Sequence, residues 1–201
     1  MRRLCTPLTV LFTLYLLAAI SPPASAQRQL ATLISAAETT SVRRSLQGPL
    51  VQPVTRGLGL GAGSVVTTNQ SGRAETLFRD GRHVKLAQST TLEISSTRAD
   101  RMRVLSGKVW VRVPPRTGLQ IDGLAANCHV TGTEFQLEVA EDGATTLTVV
   151  EGEVRFENPQ GQVVVREAQS GHAQQEAHLF CGCVPCTPAP LSARSAYCRA
   201  L

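Results

Sequence analysis

Alternation with a period of two dominates the chain from about residue 31 to residue 166. Short runs rich in Val, Thr, Leu and Ile set apolar against charged positions. Glycines punctuate them at Gly63, Gly72, Gly81, Gly132, Gly143, Gly152, Gly161 and Gly171. Successive side chains of a strand point to opposite faces, so this pattern predicts half-buried strands joined by tight turns. No stretch in this region sustains a helical period. The predicted fold class is all-β, with many short strands in antiparallel hairpins and meanders forming a sandwich or roll. A β-solenoid gives the same alternation with other neighbours.

The turns can be tested by asking whether each keeps the apolar residues on one face. Within 134–166, a three-residue loop Glu141-Asp142-Gly143 pairs Val139 with Thr145 and Leu137 with Leu147. A two-residue turn Glu151-Gly152 pairs Val149 with Val154 and Leu147 with Phe156. A loop Asn158-Pro159-Gln160-Gly161 pairs Phe156 with Val163 and Val154 with Val165. All three turns agree, and a slip of one residue would flip a strand's apolar set to solvent. The expectation is a four-stranded meander. Its single wet face carries Glu134, Gln136, Glu138, Thr146, Thr148, Glu153, Arg155, Glu157 and Arg166. Earlier, Asp80-Gly81 suits a type I′ hairpin pairing Leu77 with Val84, and Ser106-Gly107 pairs Val104 with Val109 and Met102 with Val111. Leu92 and Ile94 form another short strand. Pro114-Pro115 stops the strand ending at Val113, because proline cannot donate to a ladder.

The first residues change the charge balance. Arg2 and Arg3, the apolar run Leu8–Ile20 and the A-x-A site Ala24-Ser25-Ala26 read as a helical export signal, residues 1–26, cleaved after Ala26. The apolar run is shorter than the ~20 residues that cross a bilayer. Of 201 residues, 20 are Lys or Arg and 15 are Asp or Glu, a formal charge of +5. Two of the basic residues and none of the acids fall in the signal, so the remainder carries +3. The expected product is periplasmic or secreted, with no membrane span after cleavage and no nucleic-acid partner.

Cysteine concentrates at the other end. Cys181, Cys183, Cys186 and Cys198 fall within the last 21 residues, and Cys128 is left inside the β region. In an exported protein the four read first as disulfides of an irregular tail, 173–201, following a β domain over 27–172. Four thiolates can also hold zinc, and Cys183-Val184-Pro185-Cys186 has redox-motif spacing without the accompanying βαβ text. Cys128 reads as a small buried apolar residue.

Trp110 is the only tryptophan. Val109, Val111 and Val113 take the apolar face of its strand, which leaves Lys108, Trp110 and Arg112 on the other. The hairpin register sets Arg103 opposite Trp110, at cation–π range. Residues 98–116 hold Arg98, Arg101, Arg103, Lys108, Arg112 and Arg116 against Asp100 alone, whereas 134–157 hold seven acids against Arg155. The expected binding residues are Trp110, Arg101, Arg103, Lys108 and Arg112, facing an envelope protein or an anionic envelope polymer. The alternative is that the N-terminal segment covers Trp110 and the charges form a solvated face. His83, His129, His172 and His178 make no metal spacing, and neither a phosphate loop nor a nucleophile elbow is present. No enzyme activity, metal or cofactor is expected.

Three blocks stand in order along the chain. One runs Val65-Val66-Thr67-Thr68 and then Ser71 through Gly81, continuing at Val84, Leu86, Thr91, Leu92 and Ile94. The next is Leu105-Ser106-Gly107-Lys108-Val109-Trp110-Val111. The last joins Gly132-Thr133-Glu134-Phe135 to Thr148-Val149-Val150-Glu151-Gly152-Glu153-Val154. In this combination they resemble the FecR family, the extracytoplasmic sensing domain of bacterial surface-signalling regulators. The resemblance implies a non-catalytic binding and signalling module. The family's regulators look like a cytoplasmic anti-sigma segment, one membrane helix and this outer domain; here the export signal implies a stand-alone exported form at the cell envelope. A structural envelope module crosslinked through its cysteines is the second reading, and a thiol-redox or zinc protein the third. Asp80, Gly81, Gly107, Gly132, Thr133, Phe135 and Gly152 read as turn and core residues: Gly132 frees the backbone, Thr133 begins a strand and Phe135 fills the core.

Overall fold

A computed structural model of the chain describes residues 28–37, 39–51, 54–95, 100–174 and 180–183. The export signal and the segment from 184 on, with Cys186 and Cys198, lie outside the described residues. In chain order the strands are β1 (Ala31–Ala36), β2 (Thr40–Arg43), β3 (Leu50–Val51), β4 (Gly59–Leu60), β5 (Val65–Thr68), β6 (Ala74–Phe78), β7 (His83–Leu86), β8 (Thr91–Ile94) and β9 (Arg101–Arg112). They continue with β10 (Gly118–Asp122), β11 (Asn127–Thr131), β12 (Glu134–Val139), β13 (Thr145–Glu151), β14 (Glu153–Asn158), β15 (Gly161–Arg166), β16 (Gln169–Ala173) and β17 (Phe180–Cys183). No helix occurs among the described residues, and the fold is all-β.

The strands form two layers. The first sheet has the order β4–β1–β6–β7–β9–β12–β13–β16–β17. The second has the order β3–β2–β5–β8–β9–β10–β11–β14–β15. Every pairing is antiparallel except β9 with β10. Alternate side chains of both sheets meet in one core that includes Val84, Val111, Phe135, Leu147, Val154, Phe156 and Val165. The sheets touch closely at Gly171, where a Cβ would lie 2.8 Å from Phe156 Cδ1 and 2.9 Å from Val165 Cγ2.

β9 belongs to both layers. Its first half pairs with β8 and β10, and its second half with β7 and β12. Met102 and Val104 are buried, then Val109 and Val111, so the buried parity shifts by one between them. Gly107 absorbs the shift with φ of 83°. The expected hairpin at Ser106-Gly107, with Val104 opposite Val109 and Met102 opposite Val111, is therefore incorrect: the strand does not reverse but crosses to the other sheet. Glu151-Gly152 does the same. β13 pairs with β12 and β16, and β14 with β11 and β15, so Val149 does not face Val154. The expected four-stranded meander is two hairpins on opposite layers, and its wet residues form two outer faces.

Left-handed backbone marks these crossings. Of the ten described residues with positive φ, eight sit where the chain passes between layers: Gly57, Gly63, Ser89, Gly107, Arg116, Gly132, Gly152 and Ala168. The other two, Gly81 and Gly143, close hairpins within a layer. The loop Glu141-Asp142-Gly143 has the expected register, with Leu137 opposite Leu147 and Val139 opposite Thr145. The β14–β15 register also agrees, Phe156 opposite Val163 and Val154 opposite Val165, around a tighter turn at Pro159-Gln160. The β6–β7 turn differs by one residue. Leu77 faces His83 and Thr76 faces Val84, because the loop is Arg79-Asp80-Gly81 and only Gly81 has positive φ. A type I′ turn needs two such residues.

β17 extends the first sheet beyond residue 172, with Gly171 opposite Cys181 and Gln169 opposite Cys183.

Candidate binding face

The outer face of the first sheet is built from the polar positions of β6, β7, β9, β12, β13 and β16. Register sets Glu75, Lys85, Trp110, Gln136, Thr148 and Ser170 in one row across it. A second row runs Leu77, His83, Arg112 and Glu134, and a third runs Lys108, Glu138, Thr146 and His172. Cross-strand neighbours of this kind are the contacts that stabilise a sheet.

Trp110 lies at the centre, half-buried. The Lys85 ammonium stands 4.9 Å from its ring centroid, and the His83 ring meets it edge-on at 5.8 Å and 89°. Glu75 holds both neighbours, with Oε2 3.2 Å from His83 Nε2 and Oε1 3.9 Å from Lys85 Nζ. On either side, Lys108 pairs with Glu138 at 2.9 Å and Arg112 with Glu134 at 3.5 Å. Thr148 and Ser170 hydroxyls are 3.1 Å apart, as are Thr146 Oγ1 and His172 Nδ1. The face sets the Trp110 indole within a field of paired charges and hydroxyls.

This arrangement corrects the expected charge division. β12, with Glu134 and Glu138, lies directly against the second half of β9, with Lys108 and Arg112, so opposite charges interleave. Arg103 is not opposite Trp110. It faces Glu93 and Asp122 in the second sheet, and Arg101 binds Asp122 Oδ2 at 3.0 Å. Trp110, Lys108 and Arg112 therefore share one face, and Arg101 and Arg103 belong to the other layer. Arg98 lies outside the described residues. The groups that touch Trp110 are Lys85 and His83; period-two parity turns both outward, but only the β7–β9 pairing brings them to the ring.

The turn residues have structural surroundings. Asp80 accepts hydrogen bonds from Arg82 N at 3.2 Å and Arg82 Nε at 2.8 Å. The Arg82 guanidinium is almost wholly buried and stacks 5.4 Å from the Phe78 ring centroid. Burial alone would raise the Asp80 carboxyl, but the hydrogen bonds and charge of Arg82 outweigh it and hold the group below its ordinary value. Phe135 is fully buried, and Thr133 is buried just before β12 begins. Cys128 is fully buried between Ile121 and Phe156; burial, with Asp122 nearby, pushes its thiol far up. Cys181 is half-buried, with Sγ 3.7 Å from Gln169 Oε1.

Among the described residues no group of three His, Cys, Asp or Glu side chains is placed to hold a metal. An open hollow beside the β14–β15 turn is lined by Asn127, Glu157, Pro159 and Gln162.

Residues 64–155 match the family model described as FecR protein. No curated protein matches the chain. Two crystal structures of a candidate anti-sigma factor from Parabacteroides distasonis share the fold, each with a TM-score of 0.53 at 16% identity. In both the similarity covers 59% of this chain and 59% of that chain, so it spans about three fifths of the neighbour's length. The matched segment contains β5 to β13 and enters β14, and it includes Trp110, Lys85 and His83; over residues 64–155 this chain is similar to the FecR family.

Proposed function

We propose that the chain is an exported, non-catalytic binding and signalling module of the bacterial cell envelope, engaging a partner protein through the outer face of its first sheet. The observation that carries this reading is Trp110, the one tryptophan, held at the centre of that face by Lys85 and His83. Tryptophan is enriched among residues that dominate binding energy, and a ring fixed by its neighbours loses little freedom on binding. Pairing of Lys108 and Arg112 with Glu138 and Glu134 favours a partner surface of mixed charge over a polyanion. The FecR match and the anti-sigma-like fold support a sensing role. The test is recovery of partners from an envelope extract by the wild-type chain and by Trp110→Ala, with circular dichroism to confirm folding. A folded Trp110→Ala chain that recovers the same partners at the same yield removes the reading.

A second reading rests on Cys181 and Cys183, which occupy the outermost strand of the first sheet. There the chain is a structural envelope module crosslinked through Cys181, Cys183, Cys186 and Cys198. Mass measurement before and after reduction, with a zinc assay, distinguishes disulfides from a thiolate metal site. Truncation after Cys183 keeps β17 and tests whether the segment beyond it is required.

A further inference from the structure

The hairpin between β2 and β3 presents apolar side chains where turns ordinarily carry polar ones. Gly48 N donates to Ser45 O at 3.0 Å, closing a β-turn with Leu46 at its second position. Leu46 is 46% exposed at this apex, a place that glycine, proline, asparagine and aspartate usually occupy. Leu50 is equally exposed and lies directly opposite Arg43. Arg43 is exposed and its Nη1 donates to Gly48 O at 3.3 Å, and Arg44 beside it is exposed as well. Neither arginine is ion-paired to a described residue.

The base of the hairpin is firm. Val42 is buried, its neighbour Val51 packs on the core, and the Arg44 carbonyl lies 3.3 Å from where a Gly63 Cβ would be. Residues 39–74 contain four arginines and no acidic residue, in contrast to the interleaved charges around Trp110. An exposed turn with two leucines, backed by two guanidiniums and by sequence free of acid, matches the interfacial region of an anionic bilayer: leucine enters the acyl boundary and arginine meets phosphate.

We propose that the β2–β3 tip, through Leu46, Leu50, Arg43 and Arg44, docks this protein on the surface of an anionic phospholipid membrane. This inference does not depend on the role of Trp110. The test is co-sedimentation of the full chain, as recovered after export, with phosphatidylcholine vesicles and with vesicles also containing phosphatidylglycerol. Wild type, Leu46→Ser/Leu50→Ser and Arg43→Gln/Arg44→Gln are compared, all folded by circular dichroism. The expected result is binding to the anionic vesicles that weakens with salt and falls about tenfold in each double variant. Equal binding to both vesicles, or binding that neither double variant weakens, overturns the proposal, because another part of the chain then makes the contact. Absent vesicle binding with capture by immobilised polyglutamate, lost in Arg43→Gln/Arg44→Gln, replaces the membrane with an acidic protein and overturns it too. A concentration-dependent dimer lost in Leu46→Ser/Leu50→Ser, without vesicle binding, does so in favour of a second copy.

Discussion

Val104 and Val109 lie on one strand yet in different sheets: Val104 faces Leu92 in the second, and Val109 faces Leu86 and Leu137 in the first. Gly107 makes the crossing, and a Cβ there would lie 2.4 Å from Ser89 O and 2.5 Å from Thr90 Oγ1. Thr90 is fully buried and donates to and accepts from Lys108, so it has little room to yield. Gly107→Ala should therefore cost about 3 kcal/mol, combining left-handed strain with a backbone clash. The melting midpoint should fall by about 6–12 °C. A drop of less than ~1 kcal/mol in urea denaturation would mean that the crossing does not need glycine.

Asp80 and Arg82 form a pair in which the cation is buried and the acid is not. Removing Asp80 leaves a buried guanidinium without its carboxylate, so Asp80→Ala should lose about 2–4 kcal/mol. Arg82→Met in that background should recover part of the loss, since an apolar side chain suits the site beside Phe78. The sign of the pH effect follows from the lowered Asp80 carboxyl. Its folded value lies below its unfolded value, so the stability it contributes is present above the unfolded value. That stability is lost as pH falls through the folded one. Urea titrations between pH 5 and 2, on wild type and Asp80→Asn, should show the wild type losing its advantage as acid increases.

Local signals in the sequence identified strands and some turns but not the layers. The Glu141-Asp142-Gly143 loop was legible to the residue because its information is contained in the loop. Gly107 and Gly152 carry the same local signature, yet there the chain passes between sheets. At Gly107 the alternation is ambiguous in a definite way: a hairpin and a one-residue shift in parity both put Met102, Val104, Val109 and Val111 in the core. What separates them is the strand that lies alongside. That information is not local, so the sequence pointed to Trp110 but placed Arg103 beside it instead of Lys85. Asp80-Gly81 was legible as a turn, while the length of its loop depended on a single positive φ.

The surroundings of Trp110 can be measured as couplings. Its contact with Lys85 is partly exposed, where a cation–π pair contributes about 0.5–1 kcal/mol. A double-mutant cycle with Lys85→Met and Trp110→Leu should return a coupling of that size by urea denaturation. The same cycle with Arg103→Gln should return a coupling near zero, because Arg103 sits in the other sheet against Glu93 and Asp122. Coupling to Arg103 equal to that of Lys85 would contradict the register of β9.

Cys128 offers a probe of the core that reports on unfolding. It is fully buried, and burial first, then the charge of Asp122, raises its thiol far above the ordinary value of 9.0. The thiolate is the nucleophile, so the native chain should leave Cys128 unalkylated even at pH 9. Alkylation at Cys128, followed by peptide mass, should appear only as denaturant unfolds the domain. Linkage gives a second consequence. Stability from the raised thiol is fully present below the unfolded value, and above it unfolding releases a proton. Stability should then fall by at most about 1.4 kcal/mol per pH unit. Cys128→Ala removes that slope, so the wild-type advantage over the variant should shrink between pH 9 and 11. Alkylation of the native chain at the rate of a free thiol would show that β11 opens without global unfolding, and a wild-type advantage constant across that range would show that the thiol is not raised.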